Sequence, residues 1–402
     1  MTAKPSRGRR PPPPRRPTFS FDGLWHNTNF RSLLYQAVVI VLVLGGVLYM
    51  GMNAQSALEK RGIQTGFDFL TLETGFPIGE TLIPYSSQDN YIRAFLVAIL
   101  NTLSVAAASV IGATLIGVVV GLCRLSSNVL VSNLASLYVE LLRNTPQLVQ
   151  MAFWYLLITK LPVPRQAVNL FDMVFISNRG FYVPWPAANP LHVWIVGAFV
   201  AGCVAAVALT RYAEKRRRRT GIQMRVLHWN IALIFVPAVA VWWFGGAPTV
   251  LSVPKLQGFN FAGGRSISPE FVALFLGLSL YIGAFIAEIV RAGIQSAGRG
   301  QIEAANSIGL SKFDLFRRIV LPQALRVMVP PAGAQYVSLI KNSSLGVTVG
   351  YPELFNIANT SMITSGHTLE CIALMALTYL ILAFTISAGL NLYNRLVQIK
   401  EH

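Results

Sequence analysis

Apolar runs of about twenty residues, separated by polar or proline- and glycine-rich stretches, recur along the whole chain. Eight of them read as membrane-crossing helices: 33–52, 94–122, 134–160, 191–212, 227–246, 270–290, 327–347 and 370–392. Each is near the roughly 20 residues that a bilayer core requires, so the pattern predicts an all-α polytopic membrane protein. The stretch 288–331 breaks the rhythm, being polar and basic between two strongly apolar flanks. Within it Ile302, Ala305 and Ile308 recur at helical spacing and predict a short helix over 301–308. Gly309 follows as a left-handed stop, and Ser311 with Asp314 resembles a capping box with Asp in place of Glu. A second short helix then places Phe313, Phe316 and Val320 on one side, and Pro322 is expected to end or kink it. Two short amphipathic helices between two spans suit docking into a partner's groove; a solvated basic loop is the plainer reading.

Composition supports the membrane reading. Only 12% of the 402 residues are charged, about half the usual share for a soluble domain. The net charge of +17 would suit nucleic acid, but the basic residues cluster at the ends of apolar spans, which is the positive-inside pattern. No nucleic-acid partner is expected. Under strict alternation the N-terminal tail, the loop 211–225, the loop 291–326 and the C-terminal tail share one basic side, the cytoplasm. Both termini are therefore expected on the cytoplasmic side of the membrane. Residues 1–31, rich in Arg and Pro, read as a disordered or polyproline-like tail held to anionic lipid. The run 33–50 is longer than a signal-peptide core and no small-x-small site follows it, so it reads as a retained anchor. The outer segments 53–93, 161–190 and 247–269 carry Pro, Gly and aromatic residues. Cys123, Cys203 and Cys371 read as packing residues, and no metal site is expected.

Charges inside the spans need a reason, since each costs on the order of 2.5–3.5 kcal/mol at mid-membrane. Glu140 with Arg143, and Glu288 with Arg291, are spaced three apart on a helix and can pair. Lys341 falls in the seventh span, and Asn101 with Thr102 in the second. These groups are either interhelical pairs that set register, or a polar lining able to meet the carboxylate and ammonium of a zwitterion.

Glu303-Ala304-Ala305, then Gly309, then Ile319-x-Leu321-Pro322 resembles the EAA signature of ABC importer permeases. The blocks YVELLRNTPQLVQMAFWY, AFIAEIVRAGIQS and LPQALRVMVPPAGAQYVSLIKNSSL resemble the polar amino acid permease family. That resemblance implies a type I permease of an ATP-driven importer of L-amino acids, enlarged like the permeases of general L-amino acid importers. Its coupling helix would sit in a cleft of an ABC ATPase dimer. The implied partners also include a second homologous permease and a periplasmic substrate-binding protein. ATP and Mg would be bound by the ATPase, because this chain has no GxxxxGK[ST] phosphate loop; no cofactor is expected on it. The implied organisation is a tail, 1–31; an extra first helix and outer loop, 32–92; a permease domain, 93–395, with inserted helices and loops about 161–269 and the coupling loop 291–326; and a tail, 396–402. An ABC permease for another small solute is the competing assignment. More distant is an intramembrane enzyme using Glu288 or Glu140 as general base, against which stands the absence of any nucleophile–base grouping.

Overall fold

A computed structural model of the chain describes residues 28–60, 65–187, 189–221, 224, 226–247 and 250–397. Most of the expected N-terminal tail, and residues 398–402, lie outside the described residues. The chain divides into two compact units, 1–67 and 68–402. Among the described residues of the first, one helix, α1 (Thr28–Lys60), is apolar and exposed along most of its length.

The second unit is built around two long helices, α2 (Tyr91–Cys123) and α7 (Pro269–Gln295). Each starts at a side-chain cap. The Asn90 side chain accepts from the Arg93 amide at 3.0 Å, and the Ser268 hydroxyl from the Phe271 amide at 3.1 Å. They close on each other through glycines: a Cβ on Gly117 would lie 2.5 Å from that of Ile286, and one on Gly121 would lie 2.8 Å from the Ala287 carbonyl. Lipid supplies no hydrophobic force between helices, so such small-residue contacts let dispersion do the holding. Leu274, Leu278, Ile282 and Ile286 of α7 form the core with Val105, Met151 and Leu339.

Six helices among the described residues are long and apolar enough to cross a membrane: 30–53, 91–123, 191–217, 227–244, 269–295 and 368–390. All six were expected from the apolar runs; the other two expected spans are revised. The run 134–160 is two helices, α3 (Val129–Asn144) and α4 (Gln147–Thr159). Pro146 has no amide to donate and forces Thr145 into extended backbone (φ −95°, ψ 130°). The Gln150 amide then donates to the freed Leu142 and Thr145 carbonyls at 2.8 and 3.1 Å. The run 327–347 is the end of α10 (Leu321–Asn342) continued by a tight 3₁₀ stretch, Ser343–Val349. A short helix α11 (Leu354–Ser365) and the long α12 (Thr368–Val397) follow.

The segment 161–269 holds two expected apolar helices, packed as a hairpin, and β-structure that the apolar pattern did not predict. Helix α5 (Leu191–Thr220) carries the basic run 215–219 as helix, well past the expected end at 212, and stops at left-handed Gly221. It packs on α6 (Leu227–Phe244), where the Asn230 amide donates to the Thr210 hydroxyl at 2.8 Å. Before and after this hairpin lie short strands: β1 (Val168–Leu170), β2 (Val174–Ser177), β3 (Gly180–Val183), β4 (Trp185–Pro186), β5 (Leu251–Ser252), β6 (Lys255–Gln257), β7 (Asn260–Ala262) and β8 (Arg265–Ile267). The antiparallel order β1-β2-β3-β8, with Tyr182 opposite Ser266, knits the segments 161–190 and 247–269 into one sheet. Its strands are too short and interrupted for a period-2 signal to stand out in the sequence.

Candidate functional site

The polar stretch between α7 and α10 folds as two short helices, α8 (Arg299–Ser307) and α9 (Lys312–Leu315). Their junction follows from sequence. Gly309 takes φ +76°, its amide donates to the Asn306 carbonyl at 3.0 Å, and the Leu310 amide reaches the Ala305 carbonyl at 3.2 Å. This is a Schellman turn, which an L side chain would strain. The Ser311 hydroxyl then accepts from the Asp314 amide at 3.1 Å and donates to the Asp314 carboxylate at 2.8 Å. Pro322 does not end the second helix. The chain passes from α9 through a π-turn, Phe316–Val320, into α10, with the Leu321 amide donating to the Phe316 carbonyl five residues back. The wider turn passes a residue that has no amide to donate without breaking the helical path.

Within the signature, Ala305 is buried, Ile319 and Leu321 are half-buried, and Glu303, Ala304, Gly309 and Pro322 are exposed. The Gln323 amide ties α10 back to α8 through Gln301 Oε1 at 2.6 Å. The junction presents two large apolar side chains outward: Ile308 is 77% and Phe313 68% exposed. A basic rim accompanies them, including Arg317 and Arg318, the latter paired with Asp314 at 3.0 Å.

Inside the helical body, the expected pair Glu288–Arg291 forms at 2.5 Å. A residue that sequence reading passed over, Arg124, donates to the other Glu288 oxygen. Standing directly after an apolar run, Arg124 reads as an ordinary span-end charge until the fold sets it against α7. The expected pair Glu140–Arg143 is absent: among the described residues no ion pair engages either one. Arg143 instead stacks its guanidinium 4.9 Å over the Phe285 ring. Glu140, Arg143 and Asn144 of α3, with Arg124, Phe285 and Glu288, line a cavity of about 530 Å³. Lys341, exposed near the end of α10, takes part in no ion pair among the described residues.

Asn101 and Thr102 are wholly buried and brace the far end of the body. The Asn101 amide donates to the carbonyls of Glu80 and Pro352 at 2.8 and 2.9 Å, and Thr102 accepts from the Leu354 amide at 3.0 Å. Between them lies Glu353, also wholly buried, which caps α11 through the amides of Phe355 and Asn356 and accepts from the Tyr379 hydroxyl at 2.6 Å. Burial pushes its carboxyl up to about 6 despite these donors. Glu80 nearby is also raised, again by burial, although the Ser268 hydroxyl donates to it. The Asn342 amide donates to Gln147 Oε1 at 2.8 Å and so joins the two places where expected spans break.

The sequence profile described as "binding-protein-dependent transport system inner membrane component" matches residues 113–399. YhdX of Escherichia coli is 43% identical over 380 residues, covering 93% of this chain and 96% of that protein. The general L-amino acid transport system permease protein AapQ of Rhizobium johnstonii is 38% identical over 384 residues, covering 95% and 96%. The glutamate/glutamine/aspartate/asparagine transport system permease protein BztB of Rhodobacter capsulatus is 36% identical over 420 residues, covering 95% and 97%. A helical body with long apolar helices, a polar loop carrying the EAA pattern and this match over most of the chain agree. The chain belongs to the family of binding-protein-dependent transport system inner membrane components, and is a permease subunit of an ABC importer rather than an enzyme.

Proposed function

We propose that this permease carries L-amino acids inward by alternating access, and that the α8–α9 junction is where ATP hydrolysis acts on it. One observation carries the second half of that reading. Two short helices meet at left-handed Gly309 and leave Ile308 and Phe313 exposed on a loop outside every apolar span. Such apolar anchors on a rigid turn suit a groove on a partner. Glu303, Ala304, Ala305, Gly309, Ile319, Leu321 and Pro322 form and position that turn. The partner is an ABC ATPase dimer, which binds the ATP and Mg. Amino acids as cargo rest on the relatives AapQ and BztB, delivered to the outer mouth by a periplasmic binding protein.

In this reading a second, homologous permease completes the pathway, with Lys341 facing it and Arg291 and Glu288 setting the inner end. Asn101 and Thr102 serve by holding the outer frame. Both termini lie in the cytoplasm. The permease domain is 93–395, with 161–269 inserted on the basic permease plan and 32–92 added before it.

The experiment is uptake by the assembled importer in lipid vesicles with Gly309→Val. A β-branched residue at positive φ misdirects the turn. ATP-driven amino acid uptake is expected to be lost while the permease still co-purifies with its ATPase. Uptake at the unmodified rate would overturn the assignment.

A further inference from the structure

Helix α5 is longer than the bilayer it crosses. Its 30 residues run about 45 Å, against about 30 Å of hydrocarbon. Two exposed aromatic side chains mark where it leaves the apolar layer. They are Tyr212 on α5 and Trp229 on α6, set level by the Asn230–Thr210 hydrogen bond at 2.8 Å. Beyond Tyr212 the basic run 215–219 continues as helix for about 10 Å more, which spans the headgroup layer. At 3.6 residues per turn, consecutive residues of this run point to every side of the helix. Lys215, Arg216, Arg217 and Arg219 are exposed, and among the described residues no ion pair engages them. Arg216 Nη1 donates weakly to Met224 Sδ at 3.5 Å. Glu214 is the one acidic residue in the whole stretch 211–225.

We propose that this end of the α5–α6 hairpin is a binding surface for anionic phospholipid headgroups. Its surroundings favour lipid over protein. Helices α5 and α6 pack chiefly on each other, and both turn apolar side chains outward, among them Val200, Val204 and Val207 on α5 and Ile231, Phe235 and Val239 on α6. An element coated in acyl chains has headgroups around it where it emerges. A protein groove would meet the cations of one helix face, whereas a ring of cations suits an annulus of phosphates. The helix also fixes their height. In a loop the same charges could turn away to water, but here the backbone holds them along the axis of the span. Their long stems then let the ammonium and guanidinium groups settle at the phosphates. This surface requires only that α5 crosses the bilayer; it depends neither on the cargo nor on which leaflet the hairpin end faces.

The test uses the complete importer, permease with its ATPase, reconstituted in phosphatidylcholine vesicles. A bimane label is carried at Val207→Cys, about two turns before the basic run, in a chain whose Cys123, Cys203 and Cys371 are replaced by alanine. Quenching by acyl-brominated phosphatidylglycerol, compared with acyl-brominated phosphatidylcholine, reads the local lipid preference. A cation near an anionic surface strengthens binding about five-fold, so phosphatidylglycerol should be preferred about five-fold or more. Replacing Lys215, Arg216, Arg217, Arg218 and Arg219 together with Gln should bring the preference close to one. Replacing the four arginines with Lys should keep it. In the importer with its basic run intact, raising salt to about 1 M, where screening acts within about 3 Å, should weaken the preference without any change of sequence. Equal quenching by the two lipids at low salt would overturn the surface. A preference that survives both the Gln replacements and high salt would overturn it too. So would a label that neither lipid quenches, since a protein would then cover this part of the hairpin.

Discussion

Gly309 and Glu353 are each single residues that govern a helix end, one through backbone and the other through charge. The role of Gly309 is visible in the sequence because a glycine directly after a periodic apolar pattern marks the left-handed stop of a helix. Glu353 gave no such signal: an acid before an apolar stretch is commonplace, and what makes it unusual is complete burial, with the Tyr379 hydroxyl of α12 brought against it by the fold. Its folded carboxyl sits at about 6 against an ordinary 4.5, so the fold favours the protonated form. The stabilisation that this provides is present in full below about pH 4.5 and is lost as pH rises through about 6. Glu353→Gln should therefore remove a pH dependence worth up to about 2 kcal/mol. Thermal unfolding of the purified complex between pH 4.5 and 7 reads it: the difference between unmodified protein and variant should change over that range. A constant difference would contradict it.

Helices obey their sequence except where a proline meets a polar neighbour. The apolar run 134–160 contains a break that Thr145-Pro146 announces, because the residue before a proline is driven out of the helical region. At Pro322 the same residue type breaks nothing, since a π-turn precedes it. Proline alone does not decide which outcome occurs; the neighbouring turn does. The α2–α7 contact gives a second element-scale expectation. Gly117→Leu places side-chain atoms where Ile286 already stands, and overpacking of this kind costs about 1–3 kcal/mol. The unfolding temperature in detergent should fall. Gly197→Leu in α5, where no atom lies within 4 Å of the added Cβ, should leave it unchanged, and equal effects at the two sites would argue against close helix contact as the cause.

At the scale of the whole chain, the unit 68–402 combines a helical body with a small strand-rich cap contributed by two segments far apart in sequence. The proposed orientation puts that cap outside and the α8–α9 loop inside. A cysteine at Phe171, which is 93% exposed beside β1, should then react from the periplasmic side with a thiol reagent that does not cross membranes. One at Ile308 should react only after the inner membrane is permeabilised. Both are best placed in a chain whose Cys123, Cys203 and Cys371 are replaced by alanine. The reverse pattern would invert the topology and remove the cytoplasmic docking role of α8 and α9.

Sequence by itself determined the class of the molecule, six of its long apolar helices and the turn at Gly309. Each of these is local, set by runs of apolar residues, by charge at their ends, or by a residue whose backbone freedom is unique. Only tertiary structure decided which charges are partners. Glu288 was free to choose between Arg291 on its own helix and Arg124 across the interface, and it takes both. Glu140 and Arg143 had the same spacing as Glu288 and Arg291 and do not pair, because Phe285 of a neighbouring helix offers the guanidinium a ring face instead. Helical spacing places two side chains within reach of each other, but what else comes within reach depends on how the helices pack.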